Sequence, residues 1–186
     1  QSATRDAAKL QRVDSTLQLA PDGPVAASVI GQPENLWVSH VTINAGSGDG
    51  VGVNDPVIDP DGLIGTVTEV AAGAAIVTLI NDPTSGVSAR DSASREMGVI
   101  GPQPGSPGEL VMSFVSRPSE VKVGDLIVTA GERATANASL FPANLLIGKV
   151  TAVPSAANPS GSIIVTPAAD LTSLQNVQVL TKVPGG

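Results

Sequence analysis

The sequence predicts an all-β chain: two tandem six-stranded β-barrels related by internal duplication, preceded by a short N-terminal helix. Three observations predict it. The stretch "GLIGTVTEV" at 62–70 recurs as "LLIGKVTAV" at 145–153, with six of nine positions identical. Other short β-branched segments recur around it in the same order. The 186 residues include 20 Gly and 15 Pro, which interrupt the chain too often for long helices. The only rings are Trp37, Phe114 and Phe141, so Val, Ile, Leu and Ala must fill the core, and their β-branched share favours strands.

The elements follow in order. Residues 1–20 contain no Gly or Pro and place Ala3, Ala7, Leu10, Val13 and Leu17 at helical spacings. So thin a stripe is marginal as an isolated helix, and it reads as the end of a longer coiled coil. The first barrel is expected over 21–95 and the second over 96–186, with strands free to be exchanged between them. "SVIGQ" at 28–32 is echoed by "GVIGP" at 98–102, and "LWVSHVT" at 36–42 by "LVMSFVS" at 110–116. "VGVNDPVI" at 51–58 corresponds to "VKVGDLIV" at 121–128, and "AIVTLI" at 75–80 to "SIIVTP" at 162–167. A weaker pair, "GVSAR" at 86–90 and "NVQVL" at 176–180, completes six segments per half. Trp37, Ser39, Val41 and Ile43 alternate with Leu36, Val38, His40 and Thr42, as on the two faces of a strand. "DPDG" at 59–62 predicts a hairpin turn with Gly62 at positive φ, and "GSGDG" at 46–50 and "PGSPG" at 104–108 read as breaks at matching places. Closure into small barrels spares six short strands an exposed edge.

Composition narrows the chemistry. The chain has no cysteine, which excludes disulfides and thiolate metal sites. Between Val13 and Ala89 there are nine acids and no Lys or Arg; from Arg90 onward seven basic residues balance seven acidic ones. A nucleic-acid surface would need a basic stripe, which the sequence lacks. The lone histidine, His40, would have to serve any Ser-His-Asp triad. Its alignment with Phe114 suggests a packing position instead. Ser106 in "PGSPG", the nearest approach to a glycine-flanked nucleophile, sits in a turn before Pro107. Asp59 and Asp61 lack the remaining ligands of a calcium loop and read as turn residues. Asp55 and Asp125 match across the repeat, each at a turn into the next strand, where Asp caps backbone amides. Gly65 and Gly148 match in the same way. No cofactor or metal is implied. A double-barrel serine hydrolase and a peptidoglycan-binding module are the alternative readings; scarcity of rings weighs against the second.

The run "VIG…LWVSHVTINAGSGDGV", then "DPVIDPDGLIGTVTEV" and "VTLINDP", resembles the extracytoplasmic domain of the rod shape-determining MreC family. "VGDLIVTAG", "LFPANLLIGKVTAV" and "IIVTPAADLTSLQNVQVL" resemble its second half. The resemblance covers Val25 to Val183. It implies a non-enzymatic scaffold of cell elongation on the outer side of the cytoplasmic membrane, anchored by one membrane-spanning segment and a coiled coil. The implied partners are an elongation-class penicillin-binding transpeptidase, MreD, the MreB system and further copies of the chain. Two features depart from the family pattern: a longer stretch at 132–140, and Asn144 where glycine is usual. Trp37, Glu132, Arg133, Asn137 and Phe141 are the candidate partner-binding residues, with burial in the core the competing reading for the two rings.

Overall fold

The computed structural model describes residues 24–32, 39–131, 141–155 and 161–181; the expected N-terminal helix lies outside them. Twelve strands run through the described residues. They are β1 (Val25–Gly31), β2 (His40–Ile43), β3 (Pro56–Ile58), β4 (Leu63–Val70), β5 (Ala75–Leu79), β6 (Val87–Asp91), β7 (Met97–Gln103), β8 (Ser106–Ser113), β9 (Leu126–Thr129), β10 (Leu146–Ala152), β11 (Ile163–Pro167) and β12 (Asn176–Val179). They close into two six-stranded antiparallel barrels, ordered β1-β12-β3-β4-β5-β2 and β10-β11-β8-β7-β6-β9. Replacing each strand of the first barrel by its counterpart in the other half reproduces the second order, so the two topologies are the same.

The duplication carries an exchange. β6 leaves the first half to pair with β7 and β9, and β12 returns from the second half to pair with β1 and β3. Neither 21–95 nor 96–186 therefore closes a barrel with its own strands alone. The two exchanged connections share one device, a recurring Asp-x-Thr-Ser turn that matching of the apolar segments passes over. Asp82-Pro83-Thr84-Ser85 follows β5 and Asp170-Leu171-Thr172-Ser173 follows β11. In each, the Asp accepts bonds from the amide and hydroxyl of the Thr two residues on, which nucleates the turn.

The alternation of apolar residues builds the cores. Ile43, Val57, Ile64, Val67 and Val77 are buried in the first barrel; Ile100, Leu110, Ile127, Ile147 and Val165 fill the second. Ile58, Leu63, Ile80 and Leu180 leave the first barrel to join the core of the second, forming an apolar seam between the lobes. Gly62 lies at this seam: a Cβ there would stand 2.6 Å from the Leu146 carbonyl oxygen. Its φ is not among the positive ones, contrary to the turn expected. The turn is instead held by Asp59, whose Oδ1 accepts the amides of Asp61 and Gly62.

Register corrects four of the repeat alignments; in the weaker pair, Asp91 faces Ile127 as Val179 faces Val57, which matches Val177 with Ala89 rather than Val87. Gly65 faces Leu79 and Gly148 faces Pro167, so β5 matches β11 one residue away from the alignment of "AIVTLI" with "SIIVTP". Val77 then faces Val41, as Val165 faces Leu110. Val41 therefore corresponds to Leu110 and His40 to Glu109, not to Phe114. "GSGDG" follows β2 whereas "PGSPG" spans the β7–β8 turn, so these are not equivalent breaks; Ser106 itself opens β8.

Buried Thr129 fastens the second barrel where the chain returns to β10. Its hydroxyl donates to the Pro142 carbonyl and accepts the Leu145 amide. Thr129→Val keeps the shape but strands both groups, and should cost about 1–3 kcal/mol in denaturant unfolding. A change of a few tenths would show that the hydroxyl contributes nothing.

Candidate functional site

The repeated carboxylates are turn caps. Asp55 Oδ2 accepts the Gly52 amide at 2.8 Å, and Asp125 Oδ2 accepts the Lys122 amide at the same distance. The main chains around them match too: Val67 and Val150 donate to the Asp55 and Asp125 carbonyls, and Asn54 and Gly124 both take positive φ. Gly65 and Gly148 are likewise equivalent, each with a neighbouring carbonyl oxygen 2.2 Å from the place a Cβ would occupy. Buried Asp91 accepts the amides of Ala93 and Ser94 and caps the turn between β6 and β7.

One polar chain runs across the outer face of the first barrel beside the seam. Thr68 and Thr78 share a hydroxyl hydrogen bond of 3.0 Å, Thr78 Oγ1 lies 3.2 Å from His40 Nδ1, and His40 Nε2 lies 3.8 Å from Asp82 Oδ2. The residue types are those of a triad, but the geometry is not. The imidazole–carboxylate separation exceeds a hydrogen bond, and the Thr78 hydroxyl faces a second threonine on a nearly buried residue. The His40 side chain is 46% exposed, which overturns the expectation of a packing position. Among the described residues no group of three or more His, Asp or Glu could hold a metal ion.

A second polar feature is Asp170. The Thr172 hydroxyl, then the Ser173 hydroxyl and the Thr172 amide, hold its carboxyl down to about 2, against burial. A folded-state pKa below the unfolded value of 3.8 contributes stability that is present above that value and lost as pH falls through about 2. Asp170→Ala should therefore lower the melting temperature most above pH 4, and the deficit should shrink towards pH 2. A deficit constant from pH 5 to pH 2 would refute the assignment. Close by, the end of β1 and residues 172–175 line an open groove of about 440 Å³, across which Gln32 Nε2 donates to the Leu174 carbonyl.

Of the candidate partner-binding residues, Trp37, Glu132, Arg133 and Asn137 lie outside the described residues. Phe141 is only 8% exposed and belongs to the core of the second barrel, so its ring is not a surface contact. Asn144, at the base of the 132–140 stretch, takes φ 68° and accepts a hydrogen bond from Arg90 Nη2. Among the described residues the exposed ring is Phe114, at 87%. Alternation along β8 buries Leu110 and Met112 and would turn Phe114 inward, but φ 59° at Phe114 swings the ring out. Sequence held one signal for this, the turn residues "SRPSE" immediately after "FV".

A duplicated pair of six-stranded barrels, with its repeated aspartates capping turns and its sixth strands exchanged, defines a double β-barrel domain. The family model described as rod shape-determining protein MreC, barrel core, matches residues 29–181, and the chain belongs to that family. It is 30% identical over 176 residues to the cell shape-determining protein MreC of Listeria monocytogenes, covering 92% of this chain and 58% of that one. It is 32% identical over 170 residues to the Bacillus subtilis protein of the same name, covering 86% and 57%. The chain thus spans less than two thirds of these relatives. Among solved structures, MreC from Listeria monocytogenes superposes with a TM-score of 0.73 at 28% identity, covering 100% of this chain and 91% of that one. A complex between a penicillin-binding protein and MreC from Helicobacter pylori contains the same fold, with a TM-score of 0.61 at 16% identity, covering 86% and 99%.

Proposed function

We propose that this domain is a non-enzymatic scaffold of bacterial cell elongation. Membership of the MreC family across residues 29–181 carries the reading. The domain would act on the outer side of the cytoplasmic membrane, held there by a single-pass anchor and coiled coil in the full-length protein. Its partners would be an elongation-class transpeptidase, MreD, the MreB system and further copies of itself. The Helicobacter pylori complex with a penicillin-binding protein supports the transpeptidase as a partner. The fold suits the task physically, since closed barrels leave no free strand edge, and strand exchange ties two lobes into one body.

The test is genetic and biochemical together. Replacement of the native gene by one lacking residues 24–181 should make rod-shaped cells round. The intact protein should co-purify with the transpeptidase from crosslinked membranes. Normal rods from the deleted form would overturn the proposal.

A further inference from the structure

The antiparallel order of the second barrel brings the starts of β7, β9 and β11 and the ends of β6, β8 and β10 to the end away from the seam. That end is apolar. Phe114 is 87% exposed, Val123 61%, Leu126 45% and Met97 40%. Phe114 is also held in a left-handed conformation that aromatic side chains seldom adopt. The loop bearing it is tied down. Glu96, buried in the β6–β7 turn, pairs with the Arg117 guanidinium at 2.6 Å and accepts the Arg117 amide.

Charge is segregated along the molecule in the same sense. Of the five Lys and Arg among the described residues, Arg95, Arg117, Lys122 and Lys149 are at this end. The Lys149 stem lies beside Gly124, next to Val123. Facing them, Glu96 is paired with Arg117, Asp91 and Asp125 are engaged with backbone amides, and Glu120 is exposed. The first barrel with its two connections has seven acids and no Lys or Arg among the described residues. Near a negatively charged surface this distribution turns the second barrel's free end towards the surface and the first barrel away.

We propose that this end is a membrane-contact site, with Phe114 and its apolar neighbours entering the interfacial region of an anionic bilayer and Arg95, Lys122 and Lys149 meeting lipid headgroups. Apolar tips ringed by long basic side chains suit that boundary, because the stems lie along apolar surface while the charges stay at the headgroups.

Flotation of the 186-residue chain with vesicles tests it. The chain should float with phosphatidylcholine vesicles containing phosphatidylglycerol, and not with phosphatidylcholine alone. High salt should release it. Phe114→Ser should weaken partition about tenfold or more, and Lys122→Gln about fivefold, with far-UV spectra and melting temperatures unchanged. Phe114 is too exposed for its loss to unfold the barrel, so reduced flotation reports contact. Three outcomes overturn the proposal: no flotation with anionic vesicles, equal flotation with neutral ones, or unaltered flotation of Phe114→Ser. Phe114-dependent self-association or protein capture without vesicle binding would assign the tip to another partner and overturn it equally.

Discussion

Removal of residues 176–186 should unfold the first barrel, although every other strand of that barrel remains in the chain. β12 stands between β1 and β3, and its loss opens the barrel along both neighbours. The backbone groups of Val25–Ser28 and Val57–Ile58 that face it would lose their ladder partners. Val177 and Val179, both buried in the first barrel, would go with it. Burying two such side chains is worth about 3 to 6 kcal/mol, a large share of the stability of an ordinary domain. The second barrel keeps all six strands and loses only Leu180 from its core, so amide exchange should show protection reduced but surviving in β7, β8 and β11 and disappearing in β2, β4 and β5. Unchanged protection in β4 and β5 would mean that the first barrel closes without its borrowed strand. Val177→Asp puts the same question to a chain of full length. It buries a charge between Ala27 and the barrel interior and should act in the same direction.

The two-barrel architecture is legible in the sequence because the repeat is carried by residues that cannot be exchanged freely. Gly65 and Gly148 lie against a neighbouring strand, and Asp55 and Asp125 cap the same turn. Register is less legible. Strand alternation has a period of two, so the displacement of five residues that set His40 against Phe114 instead of Glu109 exchanges inward and outward positions, and matching recurrent Leu, Ser and Val residues does not test that parity. Exchange of β6 and β12 is hidden for a related reason. β6 and β12 are short, and each offers two buried apolar residues, Val87 and Ala89 or Val177 and Val179, so the apolar pattern does not say which barrel either one completes. Surface residues were the least legible. The exposure of Phe114 depends on one dihedral angle at the end of β8, and alternation predicts the opposite.

Gly65→Ala and Gly148→Ala should each cost about 2 to 4 kcal/mol, while Gly73→Ala should be nearly neutral. At the first two positions an added Cβ would stand 2.2 Å from the backbone oxygen of Thr78 or Thr166, and a strand rather than a flexible side chain would have to move. At Gly73 nothing lies within 4 Å. The pair also asks whether the lobes unfold together. Gly65 is in the first barrel and Gly148 in the second, yet each barrel is completed by a strand from the other half, and Ile58, Leu63, Ile80 and Leu180 pack across the seam. Either substitution should therefore lower one common transition in calorimetry. Two separate transitions, each shifted by only one of the substitutions, would show that the exchanged strands and the seam do not couple the barrels.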